Sequence, residues 1–230
     1  MFRELKDYEN DPIEGMFVRL AGDTEPGKID LGIGVYRDED GRVPVMESVR
    51  RAEQQLFERA LPKSYMSPLG NQDYCRDMEG LVLGAAHDVI SEARIVSAQT
   101  PGAGSALRAG AELVHSLAPD AVVWASRPVW DHQLEFFEKA GMPVRRYRYY
   151  DPQSAMLDLG GMLEDLRAMQ PNDLLLLHGC CHNPTGQDLT LDQWRSVCEI
   201  VNSSGAVPFV DIAYQGFGEG LDCLLYTSPS

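Results

Sequence analysis

Asp211 closes the apolar run Val207 to Val210, and a carboxylate in that position is costly to bury unless a cation or a hydrogen-bond donor meets it. Tyr214 follows three residues later and offers a phenol to the same mouth if the chain turns there. A second apolar run, Leu174 to Gly179, leads into Cys180-Cys181-His182-Asn183-Pro184-Thr185-Gly186, a turn signal that leaves the Asn183 amide at a strand end. The Cys and His letters there lack Cys-x-x-Cys spacing, and neighbours on an extended segment point opposite ways, so no metal site is expected. Pro128-Val129-Trp130 follows a third run, Ala121 to Ser126, and gives a large aromatic that can stack on a planar ligand. Finally, Thr100-Pro101-Gly102-Ala103-Gly104-Ser105-Ala106-Leu107-Arg108 is a small-residue turn feeding a helical pattern, and a helix N-terminus suits phosphate. It is not a Walker loop, and Leu107 stands where a dinucleotide fingerprint needs its third glycine. Taken singly, each feature has an ordinary structural explanation: a turn, a packed tryptophan, a helix cap.

The elements around them explain why they should be read together. Apolar periodicity predicts helices over Ser48 to Leu61, with Ser48 as cap, and over Asn71 to His87, after an irregular opening. Short β-rich runs then alternate with helical patterns. The strands are Arg94 to Gln99, Ala121 to Ser126, Val144 to Tyr149, Leu174 to Gly179 and Val207 to Asp211. The helices are Ser105 to Leu117, Asp131 to Ala140, Leu159 to Met169 and Thr190 to Asn202. Four or five strands alternating with helices imply an α/β fold, a mainly parallel sheet with helices on both faces. Ligands in such sheets sit at the C-terminal strand ends, where all the residues named above fall.

A phosphate cradle, a stacking Trp130, an Asn183 amide, an Asp211 carboxylate and a Tyr214 phenol suit one ligand, pyridoxal phosphate (PLP). Its pyridine nitrogen works best protonated, and a buried carboxylate such as Asp211 holds that proton by charge pairing. Asn183 and Tyr214 can hydrogen-bond the phenolate oxygen, and Trp130 can cover the ring.

Composition excludes other classes. The 230 residues carry 20 Lys+Arg against 35 Asp+Glu, a formal charge of −15, which repels nucleic acid and anionic lipid. With no apolar run of roughly 18 residues, neither nucleic acid nor membrane is an expected partner. The N-terminus has no secretory h-region, and the five cysteines form an odd, unpatterned set, so the expected address is cytoplasmic.

The sequence resembles the aspartate and aromatic amino acid aminotransferases, class I PLP enzymes of fold type I. The resemblance runs from about Asp11 to Asp222. It is carried by Asp11-Pro12-Ile13, Pro26 to Tyr36, Lys63-Ser64-Tyr65, Gln99-Thr100-Pro101-Gly102, His178 to Gly186 and Asp211 to Phe217. It implies a homodimer in which Tyr65 reaches the phosphate of the neighbouring subunit's cofactor, and a Gly34 backbone contact to the substrate carboxylate. Gly102, Ala103, Gly104 and Ser105 match the phosphate loop, Trp130 the ring-stacking residue, Asn183 and Tyr214 the phenolate ligands, and Asp211 the pyridinium partner. Trp130 and Asn183 also line the substrate side. On this basis Asp211, Tyr214 and Trp130 are the catalytic candidates, and an amino acid and a 2-oxo acid are the substrates. Aspartate and aromatic preference stay open.

Several positions depart from the family pattern. Ala103-Gly104-Ser105 replaces the usual Gly-Thr-Gly and moves the loop hydroxyl by one residue, and Arg127 replaces an Asn. Gln133 stands where the family has the His that backs the Asp, with His132 beside it as a possible substitute. The family's Schiff-base lysine is expected about three dozen residues after Asp211, and Lys6, Lys28, Lys63 and Lys139 are not in that context. The chain is therefore expected to be an N-terminal, truncated part of an enzyme, inactive by itself. Its divisions are an arm over 1–11, the start of a small domain over 12–43, and an incomplete large PLP-binding domain over 44–222. Residues 223–230 back-translate into a transposase-type sequencing adapter and are expected to be a non-native tail. The alternatives are a non-catalytic module that binds PLP or pairs with another subunit, and another fold-type-I enzyme such as a carbon-sulfur lyase.

Overall fold

Leu174 to Leu177 is apolar at every position because each face of its strand meets a separate core. In a computed structural model of the protein, which describes residues 12–25, 27–29, 34–218 and 220–221, Leu174 and Leu176 join one buried cluster and Leu175 and Leu177 the other. Strand β1 (Val123–Arg127) behaves likewise: Val123 and Ala125 face one side and Trp124 the other. The side-chain period of two turns a continuous apolar run into a strand covered above and below. The expected arm over 1–11 and tail over 223–230 lie outside the described residues.

The chain divides into a unit over 1–64 and a unit over 65–230. The first holds helix α1 (Pro12–Gly22), where the sequence suggests only irregular chain, and α2 (Glu47–Arg59). Ser48 does not cap α2. Met46 takes the cap position without a side-chain hydrogen bond, and Glu47 opens the first turn by pairing with Arg50 and Arg51. No residue of α2 is buried.

In the second unit, α3 (Gln72–Leu83) is capped by Asn71, whose side chain accepts from the N–H groups of Asp73 and Tyr74. It stops short of the expected His87 because Gly84 turns the chain at φ +86°. A separate turn, α4 (Asp88–Ser91), follows, capped by His87. Arg94 to Gln99 is not a strand: it pairs with no strand among the described residues, and Gln99 instead ties back to Leu69 and Asn71.

After α5 (Ala103–Leu117) and β1 come α6 (Asp131–Lys139), β2 (Val144–Arg148), a small antiparallel pair β3 (Tyr150–Asp151) and β4 (Met156–Leu157), and α7 (Leu159–Leu166). The chain continues through β5 (Leu174–His178), α8 (Leu191–Ser204) and β6 (Val207–Asp211). Thr190 opens α8 with a capping box closed by Gln193. The sheet is parallel throughout, in the order β2-β1-β5-β6. Helices α5 and α6 pack on one face through Leu107, Ala111, Leu134 and Phe137; α7 and α8 pack on the other through Met162, Leu166, Trp194 and Val197. An α/β sheet covered on both faces is thus what the chain forms.

Two details fix this frame. Gly110 lets α5 lie directly on β6: a Cβ there would come within 2.6 Å of the Phe209 ring, which packs edge-on against Phe137. Asp173, buried just before β5, accepts from the Val122 N–H at 3.0 Å, from Trp124 Nε1 at 2.9 Å and from the Gln170 N–H at 2.9 Å. At the outer strands the chemistry differs. β2 carries Arg145 over the Trp124 ring, Arg146 paired with Asp131, and Arg148 paired with Glu164 and Asp165. β6 leaves Val207 and Val210 exposed.

Candidate functional site

The strand order changes direction between β1 and β5, and an open crevice forms at the C-terminal ends there. Its walls are Ala103 from the start of α5, Trp130 from the loop after β1, His178, Cys180 and Asn183 from the end of β5, and Asp211, Ala213 and Tyr214 from the end of β6. Five of the sequence candidates, Ala103 of the proposed phosphate loop, Trp130, Asn183, Asp211 and Tyr214, therefore share one pocket. Parallel pairing sets this up: His178 and Asp211 are register partners, and the Gly179 N–H donates to the Asp211 carbonyl at 2.8 Å.

Asp211 is held from behind. Gln133, fully buried on the first turn of α6, donates from Nε2 to Asp211 Oδ2 at 2.6 Å. The Gln133 carbonyl oxygen lies 3.0 Å from His178 Nε2. The Asn183 backbone N–H donates to His178 Nδ1 at 3.0 Å, so that nitrogen carries no proton and Nε2 carries the donor hydrogen. His132 does not substitute for the absent histidine: it sits on the exposed side of α6, 3.2 Å from Glu135 and edge-on to Trp130. His178 lines the same pocket and is a neighbour of Asp211 that the sequence candidates omit. The sequence shows only a polar residue near the end of an apolar run there, and the register with Asp211 comes from the strand pairing.

A second imidazole supports the loop. His182 stacks on Tyr149 with ring centres 4.0 Å apart and lies 4.7 Å from the His178 ring. Ser126 Oγ donates to the Pro128 carbonyl, so His182 Nε2 donates to Ser126 Oγ at 2.8 Å while Nδ1 accepts from Thr185 Oγ at 2.8 Å. The backbone N–H groups of Cys181 and His182 both donate to the Asp188 carboxylate. Burial, helped by the neighbouring His178, pushes the His182 pKa down to about 3. An unfolded histidine takes up a proton near its ordinary pKa, while folded His182 refuses one until about pH 3, so stability is lost as pH falls between those values. The expected loss from this residue is about 2 kcal/mol at about pH 5. Urea unfolding at about pH 7.5 and about pH 5 checks it: the wild-type decrease should exceed that of His182→Gln by roughly this amount, and equal decreases would refute it.

The remaining candidates are placed as follows. Gly102 caps α5 at φ +143° with no side-chain hydrogen bond, and the leading N–H groups at Ala103, Gly104 and Ser105 have no intrahelical acceptor. Gly104 and Ser105 do not line the pocket, and the Ser105 side chain is exposed. Tyr65 opens the second unit with a fully exposed side chain. Gly34 belongs to the first unit, outside any helix or strand. Among the described residues no cluster of His, Cys, Asp or Glu has metal-binding spacing, and no helix is long and apolar enough to cross a membrane.

An aromatic face, a carboxylate fixed by an amide, an Asn and a phenol, and an uncapped helix start fit a planar ring with a cationic nitrogen, an oxyanion and an anionic tail. The chain matches the family model described as aminotransferase class I and II over residues 26–226. It is 41% identical to the aspartate aminotransferase of Pseudomonas aeruginosa, over 96% of this chain and 56% of that protein. It is 40% identical, over the same shares, to the aromatic-amino-acid aminotransferase of Paracoccus denitrificans. The solved structure of an aromatic amino acid aminotransferase from Burkholderia cenocepacia matches with a TM-score of 0.94 and 39% identity, covering 99% of this chain and 57% of that one. That of the Burkholderia pseudomallei enzyme, covalently bound to pyridoxal phosphate, matches with a TM-score of 0.94 and 38% identity, covering 99% and 58%. The chain thus spans about 56% of the length of the curated relatives it matches.

Proposed function

The chain belongs to the class I and II aminotransferase family, and on that premise we propose that it forms the PLP-binding part of an enzyme that moves an amino group between an amino acid and a 2-oxo acid. The observation that carries this reading is the convergence of Trp130, Asn183, Asp211 and Tyr214 on one pocket at the start of α5. Bound there, PLP supplies an electron sink for the electron pair of the substrate Cα–H bond.

The chain's own residues do the rest. Asp211 pairs with the protonated ring nitrogen, Trp130 covers one ring face, and Asn183 and Tyr214 donate to the phenolate oxygen. The N–H groups at Ala103, Gly104 and Ser105 hold the phosphate, with Gly102 keeping the approach open. Gly34 contacts the substrate carboxylate through its backbone, and Tyr65 serves a second copy in a homodimer. The proposed setting is cytoplasmic, with aspartate, glutamate or an aromatic amino acid as amino donor. The proposed divisions are those of the sequence, 12–43 and 44–222.

Among the described residues that line the pocket none is a lysine, which favours binding without transfer for this chain by itself. Titration with PLP and equilibrium dialysis, beside an assay of amino transfer from aspartate or phenylalanine to 2-oxoglutarate, test both halves. Saturable binding with transfer no greater than PLP alone is expected. Absence of saturable binding overturns the site, and transfer well above the control overturns the non-catalytic assignment of the chain.

A further inference from the structure

The hydrogen bonds behind Asp211 run in one direction. The Asn183 N–H occupies His178 Nδ1, the His178 Nε2–H points at the Gln133 carbonyl oxygen, and the Gln133 NH2 points at Asp211 Oδ2. Every donor and acceptor in this row is assigned, and the link between imidazole and carboxylate is an amide. An amide neither gains nor loses a proton near neutrality, so it transmits orientation but not protonation. Gln133 is fully buried, which leaves no water route through its own side chain.

We infer that Gln133 is a positioning residue that fixes the Asp211 carboxylate toward the ring nitrogen of a bound pyridinium and interrupts the proton route between that carboxylate and the His178 imidazole, so that no histidine proton is passed to the charge pair at Asp211. The inference rests on the proposed PLP site for the identity of the cation, whereas the insulating row belongs to this chain's own geometry.

The groups facing His178 are Asp211 on β6, Gln133 on α6, and Asp188 and His182 in the loop after β5. Burial holds the His178 pKa below the usual histidine range, against the pull of the Asp211 and Asp188 carboxylates. Protonating Nδ1 would also displace the Asn183 N–H, which has its hydrogen bond there. Both effects keep the ring in one neutral tautomer.

The test needs no cofactor. In the chain carrying 15N-histidine, long-range proton–nitrogen NMR spectra from about pH 8 to about pH 5.5 should show His178 neutral with its hydrogen on Nε2 throughout. A His178 that carries its hydrogen on Nδ1, or that charges within that range, overturns the inference. Gln133→His replaces the amide by a titratable ring beside the carboxylate and is expected to add a histidine titration in the same window. With PLP added, the ratio of the variant's Kd to the wild-type Kd should change at least about threefold across the range, since the titration of free PLP cancels in that ratio. A pH-independent ratio refutes the insulating role. If Gln133→His does not fold, the wild-type Kd for PLP, corrected for the titration of free PLP, decides: a Kd without a histidine step across the range supports the role, and one that follows a histidine titration refutes it. Failure of PLP to bind would strike the proposed function and leave the tautomer result standing.

Discussion

Replacing Asp211 by alanine is expected to weaken PLP binding about a hundredfold, close to 3 kcal/mol, because truncating one member of a hydrogen-bonded charge pair leaves the other charge without its counter-ion. The effect should exceed that of any other pocket variant. Trp130, 37% exposed, and Tyr214, 43% exposed, contribute contact and one hydrogen bond from partly solvated positions, where water recovers part of what a substitution removes. Asp211→Asn separates charge from shape: the side chain keeps an acceptor for Gln133 but not the ionic partner. Equilibrium dialysis of the three proteins at one pH gives the comparison. A loss below about threefold for Asp211→Ala would mean that the carboxylate does not face the cation.

The second large effect concerns the frame. Asp173→Ala is expected to cost about 4 kcal/mol, since three donors, the N–H groups of Val122 and Gln170 and the indole of Trp124, all lose their acceptor inside the protein. These donors come from the entry of β1 and the loop before β5, so the loss loosens the pair of strands between which the crevice opens. Asp173→Asn retains one carbonyl oxygen and should cost roughly half as much. Urea midpoints for the two variants against wild type measure the difference, and a shift worth less than about 1 kcal/mol for Asp173→Ala would show that water reaches those donors.

Elements specified by their own residues were legible in the sequence. The Thr190 and Gln193 pair announces α8, and the unbroken leucines announce β5. Where a feature depends on a distant partner, local pattern failed. Arg94 to Gln99 has strand composition, yet a strand exists only when a neighbour takes its hydrogen bonds, and Gln99 spends its own on Leu69. Gly84 ended α3 through backbone conformation, against an apolar pattern that continued. The two-residue strands of the β3–β4 pair are too short to have a period. At the site, Asp211, Asn183, Trp130 and Tyr214 could be found because each follows an apolar run. His178 could not be assigned its part from its own segment, because that part is set by Gln133, 45 residues away in sequence.

The two sides of the sheet are unequal in a way that matters for assembly. Along β2 three arginines, each engaged by an aromatic ring or a carboxylate, set charged side chains beside the open backbone groups, and an incoming strand would have to displace or desolvate them. Along β6 the outward residues Val207 and Val210 are uncharged and accessible. Among the described residues the β6 edge is therefore the more open to another strand, and a strand added parallel to β6, which ends in Asp211, would finish next to the pocket mouth.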